Sequence, residues 1–98
     1  MKIAFTPVVY EHAARFVGRT PWEVSRDADL LFVEAAFLER DAEHGRRKFH
    51  LTARQAGEIA RAANAGCVIP LHFSPRYMGE DVALLRAEVA AAYGGKVL

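Results

Sequence analysis

Glu34, His50 and His72 combine useful side-chain chemistry with telling positions along the chain. A carboxylate that accepts a proton from one imidazole nitrogen fixes the tautomer and basicity of that histidine, so a glutamate–histidine pair is a unit of acid–base chemistry. A neutral imidazole at a strand end is also a good zinc ligand. Glu34 closes the apolar run that starts at Asp29, and His72 closes the run that starts at Cys67. The turn Ser74-Pro75-Arg76-Tyr77 follows, while His50 stands ahead of a helix start in Phe49-His50-Leu51-Thr52. Each group also has an ordinary structural reading. His72 can be a satisfied core histidine, Ser74-Pro75 a plain turn, and Arg76 a salt-bridge partner as readily as a phosphate contact. The chain holds no HxH or HxxxH pair, and a single histidine does not make a zinc site. The spare histidines, His12 and His44, lie in polar surroundings and read as surface residues.

If those groups are to meet, the elements that carry them must share one sheet edge. Asp29 to Glu34 is the clearest strand, a continuous apolar run of the kind covered by helices on both faces. Cys67 to His72 is a second strand. If the two are parallel neighbours, Glu34 and His72 emerge on the same edge. Lys2-Ile3-Ala4-Phe5 is a short edge strand stopped by Thr6-Pro7, since proline cannot donate to a ladder. A strand so near Met1 points to a partner that covers it or to a chain lacking its first part. Val8 to Gly18 fits a helical stripe loosely, and Thr20-Pro21 is a helix start.

Ala35 to Arg47 is charge-rich and partly helical, with its charged residues facing solvent. Thr52 caps a helix whose positions Ala56, Ile59, Ala60 and Ala63 share one face, ended by Asn64-Ala65-Gly66. A last helix runs from about Glu80 to Tyr93 and buries Val82, Leu85, Val89 and Ala92. Gly94-Gly95 breaks it, and Lys96-Val97-Leu98 is a candidate terminal strand. Strands alternating with helices imply an α/β layered domain.

Size and charge bound the rest. A chain of 98 residues makes one domain at most, and burying roughly two-thirds of its unfolded surface leaves a thin core. A net charge of +1 gives no global field toward nucleic acid or membrane. Arg46-Arg47-Lys48 is offset by the acidic residues beside it. Cys67 is the single cysteine, so no intrachain disulfide forms, and its apolar neighbours predict a buried thiol. No signal peptide and no apolar run of membrane-spanning length is seen, so a cytoplasmic setting is expected.

Three segments occur here in one order: Phe32-Val33-Glu34-Ala35-Ala36-Phe37, Phe49-His50-Leu51-Thr52-Ala53-Arg54-Gln55-Ala56 and Leu71-His72-Phe73-Ser74-Pro75-Arg76-Tyr77. Together they resemble the "HEATF", "HSTxxxA" and "THFSxRY" motifs of metallo-β-lactamase-fold hydrolases, in the ribonuclease Z (tRNA 3′-processing endonuclease) branch. The likeness runs roughly from Asp27 to Tyr77. It implies an α/β fold, the C-terminal half of a metallo-β-lactamase-type αββα sandwich, with residues 1–98 a single partial domain. It also implies that His72 is a zinc ligand, that His50 stabilises or protonates the leaving oxygen of a phosphodiester, and that Glu34 orients it. Arg76 and Ser74 become weak candidates for substrate contact, and RNA or another phosphodiester the substrate.

The departures are as informative. The family's HxHxDH motif and its next histidine ligand are absent, Thr6-Pro7 stands where a bridging aspartate belongs, and Leu51 replaces a common serine. The expectation is therefore an incomplete zinc-dependent phosphodiesterase, inactive alone. The alternatives are a non-catalytic assembly module that pairs with itself, and one half of a two-chain hydrolase.

Overall fold

A computed structural model of the chain describes residues 1–5 and 26–98. In order it contains strand β1 (Ile3–Phe5), strand β2 (Leu30–Glu34), a 3₁₀ turn (Glu39–Asp41), helix α1 (Ala42–Arg47), helix α2 (Ala53–Ala62), strand β3 (Val68–Leu71) and helix α3 (Glu80–Tyr93). The Thr6-Pro7 stop, the helical stretch from Val8 to Gly18, the helix start at Thr20-Pro21 and His12 lie outside the described residues.

The strands form one parallel sheet in the order β1-β2-β3. Ala4 pairs with Leu31 and Leu31 with Val68, which places these small and branched side chains in one row. That row is the buried face, packed in one core with Val33, Ala56, Ala60, Leu85 and Val89. Side chains alternate along a strand, so Leu30, Phe32 and Glu34 belong to the opposite face. There Phe5 stacks on Phe32 with ring centroids 4.6 Å apart, and Phe5 remains 61% exposed. Among the described residues the helices close one face, and the apolar run of β2 reflects that core on one side and the phenylalanine stack on the other.

α2 forms where it does because Thr52 caps it: the Thr52 hydroxyl accepts from the Gln55 N–H at 3.1 Å, and Gln55 Oε1 accepts from the Thr52 N–H at 2.9 Å. This reciprocal box satisfies donors that a helix start otherwise leaves orphaned. Its predicted inner face is buried at Ala56, Ile59, Ala60 and Ala63. α2 packs on α3 so closely that a Cβ on Gly57 would sit 2.6 Å from both Ala92 Cβ and the Val89 carbonyl oxygen. α3 spans the predicted residues, buries Leu85, Val89 and Tyr93, and stops at Gly94 in the left-handed region. Two expectations are revised. Lys96–Leu98 contributes a single parallel bridge, Val97 to Val68. Cys67 is half-buried, since it precedes the first residue of β3. No helix among the described residues is long and apolar enough to cross a membrane.

Candidate active site

β2 and β3 are parallel neighbours, with Glu34 in register with Leu71. His72 therefore follows directly at the strand end, where its backbone turns into the left-handed region at φ 61°. The other half of the site is a short loop held at both ends. α1 terminates in a Schellman arrangement: the Phe49 N–H donates to the Arg46 carbonyl at 3.1 Å and the His50 N–H to the Gly45 carbonyl at 3.0 Å. Leu51 then lies across the end of β2, its carbonyl accepting from the Ala36 and Phe37 N–H groups at 3.1 and 3.3 Å. Thr52 starts α2 immediately after. His50 is thus set by the end of one helix and the beginning of the next.

Glu34 is the anchor. Its side chain is 1% exposed, and both oxygens are used. Oε1 lies 2.6 Å from His50 Nδ1, and Oε2 accepts from the Leu51 N–H at 2.7 Å. Burial pushes the Glu34 carboxyl above its ordinary range, opposed by the Leu51 N–H and by the nearby imidazoles. As a carboxylate Glu34 only accepts, so His50 Nδ1–H donates and His50 Nε2 is left available. The His50 and His72 rings lie 5.8 Å apart between centroids. Glu34, His50 and His72 offer ligand atoms within 4.8 Å of one another, a group that could hold a metal ion. With both Glu34 oxygens engaged, the imidazoles are its best donors, a set suited to a zinc-like cation.

The other expected residues are placed differently. Ser74 is built into the turn: its N–H donates to the Ala36 carbonyl at 3.0 Å and its hydroxyl accepts from the Arg76 N–H at 3.4 Å. Arg76 lies 3.7 Å from Asp41 and over the Phe37 ring at 5.7 Å. Tyr77 is buried, donating to Asp41 Oδ2 at 2.5 Å and accepting from the Leu38 N–H at 3.0 Å. His44, expected at the surface, is half-buried and packs edge-on against Phe37 at 5.3 Å. Sequence reading named Phe37 within a motif and gave it no role. Its ring also stands against His50 and Tyr77, each at 6.2 Å, and so joins the histidine loop to the turn after β3. A phenylalanine directly after two alanines at a strand end was the signal available.

No family model matches the chain. Ribonuclease Z of Thermobifida fusca is 42% identical over 79 residues, 81% of this chain and 25% of that protein. Ribonuclease Z of Parabacteroides distasonis is 44% identical over 70 residues, 71% of this chain and 22% of that one. Among solved structures, the metallo-β-lactamase fold protein YhfI from Bacillus subtilis superposes with a TM-score of 0.75 at 25% identity, covering 98% of this chain and 35% of that one. This is a ribonuclease Z-like segment of the metallo-β-lactamase fold. A long form RNase Z from yeast also superposes, with a TM-score of 0.64 at 25% identity over 76% of this chain and 9% of that one. The ribonuclease Z-like segment spans about a quarter of the length of the curated relatives it matches.

Proposed function

We propose that this chain, read as one partial domain, carries the proton-transfer corner of a zinc-dependent phosphodiesterase that acts on RNA in the manner of a tRNA-processing endonuclease. The observation that carries this reading is the buried Glu34–His50 pair at 2.6 Å with His72 beside it. Glu34 accepts from His50 Nδ1–H and so orients the ring. His50 Nε2–H then donates its proton to the leaving oxygen as the P–O bond to it breaks and water supplies the new P–O bond. Proton delivery of this kind contributes about 10²–10⁴-fold. His72 is the zinc ligand on this chain, and a bound zinc supplies Lewis acidity and a water made acidic enough to attack. Arg76 and Ser74 remain weaker candidates for contact with the phosphodiester. The setting proposed is cytoplasmic.

A single imidazole ligand falls short of a closed metal site, so the chain by itself is expected to be inactive. The test is zinc content by elemental analysis together with hydrolysis of bis(p-nitrophenyl) phosphate, on the chain and on a His72→Ala variant. Weak zinc uptake that His72→Ala abolishes, without turnover, is the expected result. Turnover by the isolated chain removes the claim of incompleteness, and zinc uptake indifferent to His72 removes its role.

A second reading is an assembly module, in which the chain pairs with a second copy or a complementary chain. It is favoured by the β1 edge, where Ile3 and Phe5 are exposed. Sedimentation as a well-folded monomer at all concentrations counts against it.

A further inference from the structure

On the far side of His50 lies a pocket of about 410 Å³ whose wall runs from α1 across Phe49, His50 and Thr52 to the first turns of α2. Phe49 is the unexpected part of it. It occupies the position just past the end of α1, with φ 60°, in the left-handed region that glycine adopts freely and a bulky residue does not. It is also 53% exposed. A large apolar ring kept in a strained position gains little there from burial, so its surface is the asset.

The charges around it select the kind of ligand. Arg46 is held by Glu43, and Arg54 by Glu58 at 3.1 Å. Glu39 completes the lining, so carboxylates outnumber guanidiniums and a phosphate is not drawn in. A flat, neutral ring with hydrogen-bond donors on its rim fits better. Aromatic side chains stack on bases, and carboxylates accept from exocyclic amino groups.

We propose that this pocket is a nucleobase subsite, in which Phe49 stacks on the base next to the scissile phosphate and the carboxylate rim receives an amino group of that base. The assignment of that base to a polymer being cleaved rests on the phosphodiesterase reading above; the pocket's preference for a base does not. Cytosine, adenine and guanine carry the amino group and uracil lacks it, so the subsite discriminates against uracil.

The experiment uses the full chain, ¹⁵N-labelled, titrated with cytidine and with uridine and followed by NMR. Nucleosides carry no phosphate and no turnover is needed, so the outcome is independent of zinc and of catalysis. Cytidine is expected to shift the Phe49 and Gln55 amides and to bind at least several-fold more tightly than uridine. Phe49→Gly is expected to weaken cytidine binding between about fivefold and a hundredfold, while its thermal midpoint holds or rises because the left-handed strain is relieved. Phe49→Leu, which keeps apolar bulk without a ring, is expected to bind as weakly as the glycine variant. Equal cytidine binding by Phe49→Gly, or no shift up to the solubility limit of cytidine, overturns the proposal. Equal affinity for uridine overturns the amino-group preference. Either failure leaves the phosphodiesterase reading standing, and absence of hydrolysis leaves the subsite standing.

Discussion

Glu34 couples chemistry to folding because one buried carboxylate serves a histidine ring and a backbone N–H at once. Replacing it by alanine leaves the buried Leu51 N–H without its acceptor. Such a loss costs about 1–3 kcal/mol, so Glu34→Ala is expected to lower the urea midpoint clearly. Glu34→Gln keeps an acceptor and is expected to fall between the two. If Glu34→Ala unfolds at the same urea concentration as the parent, the carboxylate is not holding the loop. Tyr77 offers a second check through pH. Burial, aided by its hydrogen bond to Asp41, pushes the phenol above the ordinary tyrosine value near 10. A raised value in the folded state means that the associated stability is present below about pH 10 and is lost as pH rises through the shifted value. Tyr77→Phe is expected to flatten that alkaline decline in thermal midpoint. An unchanged decline places its origin elsewhere.

At the scale of elements, the site depends on two helix ends and one close crossing. Thr52→Ala removes the reciprocal cap and is expected to cost about 1 kcal/mol, read as a lower thermal midpoint. Gly57→Ala forces a methyl into the Val89 carbonyl and the Ala92 side chain, neither of which can swing away. Overpacking of this kind costs about 1–3 kcal/mol, so this usually favourable helix substitution is expected to destabilise. A gain in midpoint shows that α2 and α3 can separate at no cost.

Much of this level was legible in the residue order. A continuous apolar run marked β2, Thr52 marked the start of α2, and Glu80 to Tyr93 marked α3, because caps and periodicity act within a few residues. The pairing of Glu34 with His50 came from the family resemblance rather than from spacing, and the two side chains lie 2.6 Å apart. The ring of Phe37, the helix-end position of Phe49 and the single bridge at Val97 were not legible. The contacts of Phe37 and the bridge at Val97 join distant segments, which local pattern does not encode, whereas the helix end at Phe49 is local but lacks the glycine that marks such a stop.

At the scale of the molecule, charge and shape pull apart. The surface carries balanced charge, with a net +1, and Arg46 and Arg54 are tied to neighbouring glutamates. Binding of RNA by the isolated chain is therefore expected to be weak and only mildly sensitive to salt, with a slope equivalent to roughly one to three released counterions. Fluorescence anisotropy of a labelled oligonucleotide across salt concentrations measures this, and a steep slope would reveal a phosphate track that the paired arginines argue against.

The adjacency of β2 and β3 has one more consequence, for inheritance. Because a single crossover joins these neighbours, carboxylate and both histidines ride on one uninterrupted stretch from Glu34 to His72. A break in the gene inside that stretch scatters the trio, whereas any break outside it hands the trio on intact. Recombination can therefore move this group of residues between genes as one ready-made cassette.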